Sequence, residues 1–147
     1  MPRKWTTLAA ALTATLVMAS GLSWADDEDS PLHKLMEQVN AKSLAIKKAI
    51  RSPVAYKKAQ KDVVKNADAL IDLGKKSREF TEPATKQKKS QDEWTRLVDD
   101  FVKKTEGFRD TVAKTGTTQD QAKKAFGAVN TSCSACHSVF RVEEDAQ

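Results

Sequence analysis

Runs in which valine or isoleucine alternates with polar residues are missing from this 147-residue chain, so nothing in it reads as a half-buried strand. Glycine is scarce, at five residues, and aromatic residues make up only 6%, which leans the chain further towards helices. There is no low-complexity tract and no internal repeat. No aromatic residues interleave with the lysines, as a nucleic-acid platform would require, so nucleic acid is not an expected partner. A catalytic carboxylate pair, a nucleophile beside a base and a phosphate-binding loop are all lacking, which argues against an enzyme. Cysteine and histidine are rare, at two residues each.

What is present has the balance of one globular domain. Hydrophobic residues make up 39% and charged residues 31%, too apolar for a disordered chain. The N-terminus stands apart. Arg3 and Lys4 precede an apolar stretch from Leu8 to Val17, and Ser23-Trp24-Ala25 puts small residues where a signal peptidase reads. Residues 1–25 are therefore expected to be a secretory signal peptide, cut before Asp26. The apolar stretch is short for a span, and no other segment reaches membrane length, so no membrane span is expected after cleavage. The mature chain, residues 26–147, loses two of 25 cations and keeps 20 acids, for a net charge of +3. Export implies a periplasmic location.

Four amphipathic segments follow from periodicity and stop signals. The first is expected over about Pro31–Arg51, with Ser30 as N-cap and Leu32, Leu35, Met36, Val39, Ile46 and Ile50 on one face. The second is expected over Pro53–Phe80, capped by Ser52, with Gly74 weakening, ending or bending its last turns. Thr81–Lys89 reads as the longest loop. The third begins after Ser90, which with Glu93 makes a capping box, and Gly116 closes it in a left-handed conformation. The fourth starts near Thr118, where Gln121 completes a second box. Its inner face carries Ala122, Ala125, Phe126, Val129, Cys133, His137 and Phe140. Helices of similar length joined mostly by short connections imply an all-α, antiparallel up-down-up-down four-helix bundle.

The chemistry lies near the C-terminus, in Cys133-Ser134-Ala135-Cys136-His137. This C-x-x-C-H pattern is the c-type haem attachment motif. Two thiols three residues apart on a helical turn each form a thioether to one haem vinyl group, and the adjacent histidine is held under the iron. A thioredoxin-type pair would open a helix after a strand, and no strand is seen. A zinc site would need four ligands, and only Cys133, Cys136, His137 and His33 are on offer, oddly spaced. A structural disulfide is the remaining alternative. One covalent haem c on Cys133 and Cys136 is the expected cofactor.

A C-x-x-C-H near the end of a four-helix chain resembles the class II cytochromes c, the cytochrome c prime group. Phe140 and Arg141, three and four residues after His137, match that group's C-x-x-C-H-x-x-[FY]-R pattern. The resemblance implies His137 as one axial ligand and leaves the other position to decide the role. Low-spin members place a methionine of the first helix on the iron and carry electrons. High-spin members leave the position open and bind NO or CO. Met36 is the one methionine of the mature chain, and Met36-Glu37-Gln38-Val39-Asn40 also resembles the ligand-bearing helix of the soluble b-type bundle cytochrome. Metal ligands His137 and Met36, and a role as an electron carrier, are the expectation. A five-coordinate gas-binding protein is the alternative, with Met36 as core filler. His33, one turn earlier, is the competing ligand.

Leu35, Val39, Trp94, Phe101, Phe126 and Phe140 are candidate haem-wall residues. Arg141 is a candidate for a propionate or for covering the proximal face, against a reading as a solvated helix-end cation. The lysine pairs, such as Lys57-Lys58 and Lys123-Lys124, are mostly solvated faces, some of which would steer acidic redox partner proteins. The sequence is compatible with a monomer or a homodimer.

Overall fold

The computed structural model describes residues 30–141, so the expected signal peptide lies outside the described residues. Five helices follow in order: α1 Pro31–Ala49, α2 Pro53–Ser77, α3 Glu82–Lys86, α4 Gln91–Ala113 and α5 Gln119–Phe140. The four long ones form the expected all-α bundle.

Each long helix starts where its cap residue stands. The hydroxyls of Ser30, Ser52, Ser90 and Thr118 accept the backbone N–H of His33, Ala55, Glu93 and Gln121 at 3.0, 3.3, 3.1 and 3.3 Å. At α5 the box closes, with the Gln121 side chain accepting the Thr118 N–H at 2.8 Å. Each cap stabilises its helix by about 1 kcal/mol. α1 stops two residues before the periodicity suggests. Pro53 forces Ser52 into extended backbone (φ −144°, ψ 156°), and that switch cannot follow directly on a helical turn. α2 ends three residues early, its chain continuing through tighter i→i+3 bonds at Arg78, Glu79 and Phe80. The expected loop contains α3, whose Pro83 and Ala84 are buried against α4. Gly116 takes the expected left-handed conformation, at φ +83°, but does not close α4: the helix ends at Ala113 with Lys114 in extended backbone as its C-cap, and Gly116 turns the chain in the loop that follows.

α1 packs on α2, α2 on α4 and α4 on α5, whereas α1 and α5 make next to no contact at the level of the backbone. The bundle thus has one weak seam. Away from it the core is dense: Ile46, Val63, Leu70, Phe108, Val112, Phe126 and Val129 are all but inaccessible to solvent. Phe108 and Phe126 pack at 5.1 Å between ring centroids. Each such side chain stabilises the fold by roughly 1.5–3 kcal/mol.

Side-chain bonds lock the two ends. At one, Gln119 Nε2 donates to the Ile50 carbonyl at 2.6 Å, and Gln60 Nε2 donates to that of Val112 at 2.8 Å, joining the α1–α2 and α4–α5 turns. At the other, Trp94 Nε1 donates to the Ser77 carbonyl at 3.0 Å, and Ser77 Oγ donates to the Gly74 carbonyl at 2.7 Å.

Gly74 does not end α2; the helix runs through it. Its reason is tertiary. A Cβ placed there would lie 2.8 Å from Val102 Cγ2 and 3.0 Å from Phe101 Cδ1 and Cε1. Glycine lets α2 and α4 close together at this level.

Candidate haem site

α5 carries Cys133, Cys136 and His137 in its last two turns. The spacing of three places both thiols on one side of the helix, and His137 follows directly. All three line one cavity of about 50 Å³. α1 contributes Met36 and Val39 to it, α2 contributes Gly74 and Ser77, and α4 contributes Trp94, Val98 and Phe101. Trp94 is fixed by its bond to Ser77 and by the ring of Phe140, edge-on at 5.2 Å.

Partial burial shapes the chemistry of the three α5 groups: Cys133 and Cys136 are half-buried, while His137 is exposed. Burial raises the pKa of the Cys133 thiol, an effect opposed by the Lys47 ammonium and a backbone hydrogen bond. It pushes Cys136 up to about 11, with the neighbouring Cys133 adding to the rise. His137 moves down, first through burial and then through the positive charge of Arg141. A neutral imidazole with a free lone pair is the form that binds a metal.

The donor set fits a c-type haem. Two free thiols and an imidazole share a cavity whose remaining walls are almost wholly apolar, as a porphyrin face requires. The cavity is far smaller than a porphyrin, and the weak α1–α5 seam is where the bundle has least to lose by opening. Among the described residues there is no cluster of three or more histidine, cysteine or acidic side chains placed to hold a bare metal ion. The family model for cytochrome c′ matches residues 30–141, the whole of the described bundle.

The chain belongs to the cytochrome c′ family.

Nothing among curated proteins or solved structures matches it at a significant level. As a cytochrome c′ family member the chain takes covalent haem c, with Cys133 and Cys136 spaced for its two thioethers. The family is in general one of haem-binding carriers.

The structure sorts the other candidate residues. Met36 faces the cavity from α1, and Val39, Trp94 and Phe101 line it as expected of wall residues. Leu35 is buried but lies outside the lining, as do Phe140, packed on Trp94, and Phe126, packed on Phe108 in the core. Gly74, Ser77 and Val98 are lining residues that sequence reasoning missed. Val98 sits on the same stripe as Trp94 and Phe101, a signal that could have found it; Gly74 and Ser77 carried none. His33 points away: its side chain is 45% exposed, with Nε2 3.8 Å from Glu37 Oε1. Arg141 is exposed just past the end of α5, its backbone N–H donating to the His137 carbonyl at 3.1 Å.

A larger groove of about 560 Å³ lies between α1 and α2 and contains none of the candidate ligands. No described helix is long and apolar enough to cross a membrane.

Proposed function

We propose that this cytochrome is an electron carrier whose haem iron is held between His137 and Met36. One observation carries the reading: the one methionine of residues 26–147 lines the same cavity as His137 and both thiols. Haem supplies the one-electron couple. His137 gives a neutral nitrogen ligand on the α5 side. Met36 brings a thioether from α1, a ligand that favours the reduced state. Ligands present in both oxidation states leave little to rearrange when the electron moves. Val39, Val98, Trp94 and Phe101 exclude water and disfavour the more highly charged ferric state. Arg141, beside His137, is assigned to a haem propionate. Residues 1–25 are assigned as an export signal and the mature chain to the periplasm, on the pattern of charge, apolar stretch and small residues.

Membership of the cytochrome c′ family favours a second reading, and favours it better than the first: an open iron that binds NO or CO, with Met36 merely covering it. Substituting Met36→Ala separates the two. Under the first reading, the parent holoprotein resists CO and the variant binds it promptly. If parent and variant give the same spectrum and the same CO response, Met36 is not a ligand.

A further inference from the structure

The end of the bundle away from the haem site has a use that the site does not explain. Five cations, Lys48, Arg51, Lys57, Lys58 and Lys61, lie between residues 48 and 61, with no acidic residue among them. All five are exposed, at the C-terminal turn of α1 and the first turns of α2. None of them takes part in an ion pair among the described residues, whereas lysines and arginines of α2 and α4 elsewhere pair with Glu106, Asp99, Asp100 and Asp68. The bonds from Gln119 to Ile50 and from Gln60 to Val112 bring the α4–α5 turn alongside, which adds exposed Lys114, Lys123 and Lys124 to the same end.

The patch is also apolar at its tip. Val54 is 67% exposed and Leu44 45%, the two large hydrophobic side chains among the described residues that remain in solvent. Val54 sits in the first turn of α2 between Arg51 and Lys57. Beside it runs the α1–α2 groove, whose floor is Ala45, Ala49, Ala55 and Ala59 and whose rim sets Lys42, Lys48 and Lys65 against one acid, Asp62. Cations around an exposed aliphatic tip match a bilayer interface, where ammonium groups meet phosphates and a small apolar side chain enters the headgroup layer. An acidic protein would account for the charge but not for the apolar tip.

We infer that the α1–α2 end of the bundle docks on a bilayer surface rich in anionic phospholipid. Docked this way, the cytochrome holds Cys136, His137 and Met36 at the end directed away from the lipid, free to meet a partner. The attraction is electrostatic and fades as salt shortens the screening length. Each basic residue near an anionic surface contributes roughly a fivefold factor in partitioning.

The test is co-sedimentation of the holoprotein with vesicles of phosphatidylcholine plus phosphatidylglycerol, and with phosphatidylcholine alone, at low and high salt. The parent should bind the anionic vesicles at low salt and ignore the neutral ones. The triple variant Arg51→Gln, Lys57→Gln, Lys58→Gln should lose roughly a hundredfold, three such factors compounded. A matched triple at the haem end, Lys76→Gln, Lys88→Gln, Lys89→Gln, removes the same charge and should bind almost as the parent does. The visible spectrum of each variant shows that the haem end is intact. Equal losses in both triples would overturn the inference, since net charge rather than this surface would then be responsible. Absence of parent binding to anionic vesicles, with retention on polyglutamate, would overturn it in favour of an acidic protein partner.

Discussion

Substituting Gly74→Ala tests the close approach of α2 and α4 that forms one wall of the haem cavity. The magnitude follows from two opposed terms. Alanine in a helix interior is favoured over glycine by about 0.8–1 kcal/mol. Against that, the new methyl meets Val102 Cγ2 at 2.8 Å and the Phe101 ring at 3.0 Å. Both neighbours are buried side chains of α4 with little room to retreat. Overpacking of this kind costs typically 1–3 kcal/mol, so the net loss should be about 1 kcal/mol. Gly74→Val, with two further methyls, should lose about 3 kcal/mol. Gly107 and Gly127 are internal controls, being helical glycines at which an added Cβ meets nothing within 4 Å. Gly107→Ala and Gly127→Ala should each stabilise by about 0.5–1 kcal/mol, because only the propensity term acts. Urea unfolding of the four holoproteins, followed by helical circular dichroism, measures the set. If Gly74→Ala stabilises as much as Gly107→Ala, α2 and α4 do not approach as described and the wall of the site is wrong.

Trp94→Phe keeps the ring against Phe140 but removes the 3.0 Å donor to the buried Ser77 carbonyl, which keeps only the Phe80 N–H at 3.3 Å, so stability should fall by about 0.5–1.5 kcal/mol in the same assay. Gly116→Ala should cost about 1–2 kcal/mol, since its φ of +83° strains any residue with a Cβ, and an unchanged midpoint would refute the turn geometry. Removing both thiols, with Cys133→Ala and Cys136→Ala together, should make the haem extractable by acidified organic solvent, whereas the parent should retain it; retention by the variant would show attachment elsewhere. In the chain before haem is attached, the folded-state pKa of Cys136 is pushed up to about 11, so the protonated thiol is favoured by folding. That contribution to stability is complete below the pKa of an unfolded thiol and is lost as pH rises towards 11. Alkylation of Cys136 should accordingly climb steeply with pH between about 8 and 11, and a plateau near pH 9 would contradict its burial.

The sequence displayed most of the fold because the starts of the helices are local events. Ser30, Ser52, Ser90 and Thr118 each cap the helix that follows, and the cap is made by residues only three apart. The ends were less legible: α1 stops early because of a proline three residues beyond the last hydrophobic position, a competition that periodicity alone does not weigh. Half of the site was equally local. Cys133, Cys136 and His137 are neighbours on one helical turn, so their meeting needs no tertiary information. The facing wall depends on how the helices are rotated against one another. Trp94 and Phe101 were readable as apolar positions on a stripe, but Phe126 and Phe140, on an equally apolar stripe, pack in the core outside the lining. Gly74 looked like a weak point in α2 because propensity is all a sequence shows of a glycine; its part in letting α4 approach exists only once the two helices meet.

Met36 and His137 would together ligate the haem iron, and an optical spectrum of the purified holoprotein tests that pairing. The ferric and ferrous forms are recorded before and after addition of CO. With both ligands in place, the spectra should be low-spin in both states and unchanged by CO. A high-spin spectrum that shifts promptly when CO is added would contradict the pairing, and would make this cytochrome a gas-binding protein with an open iron.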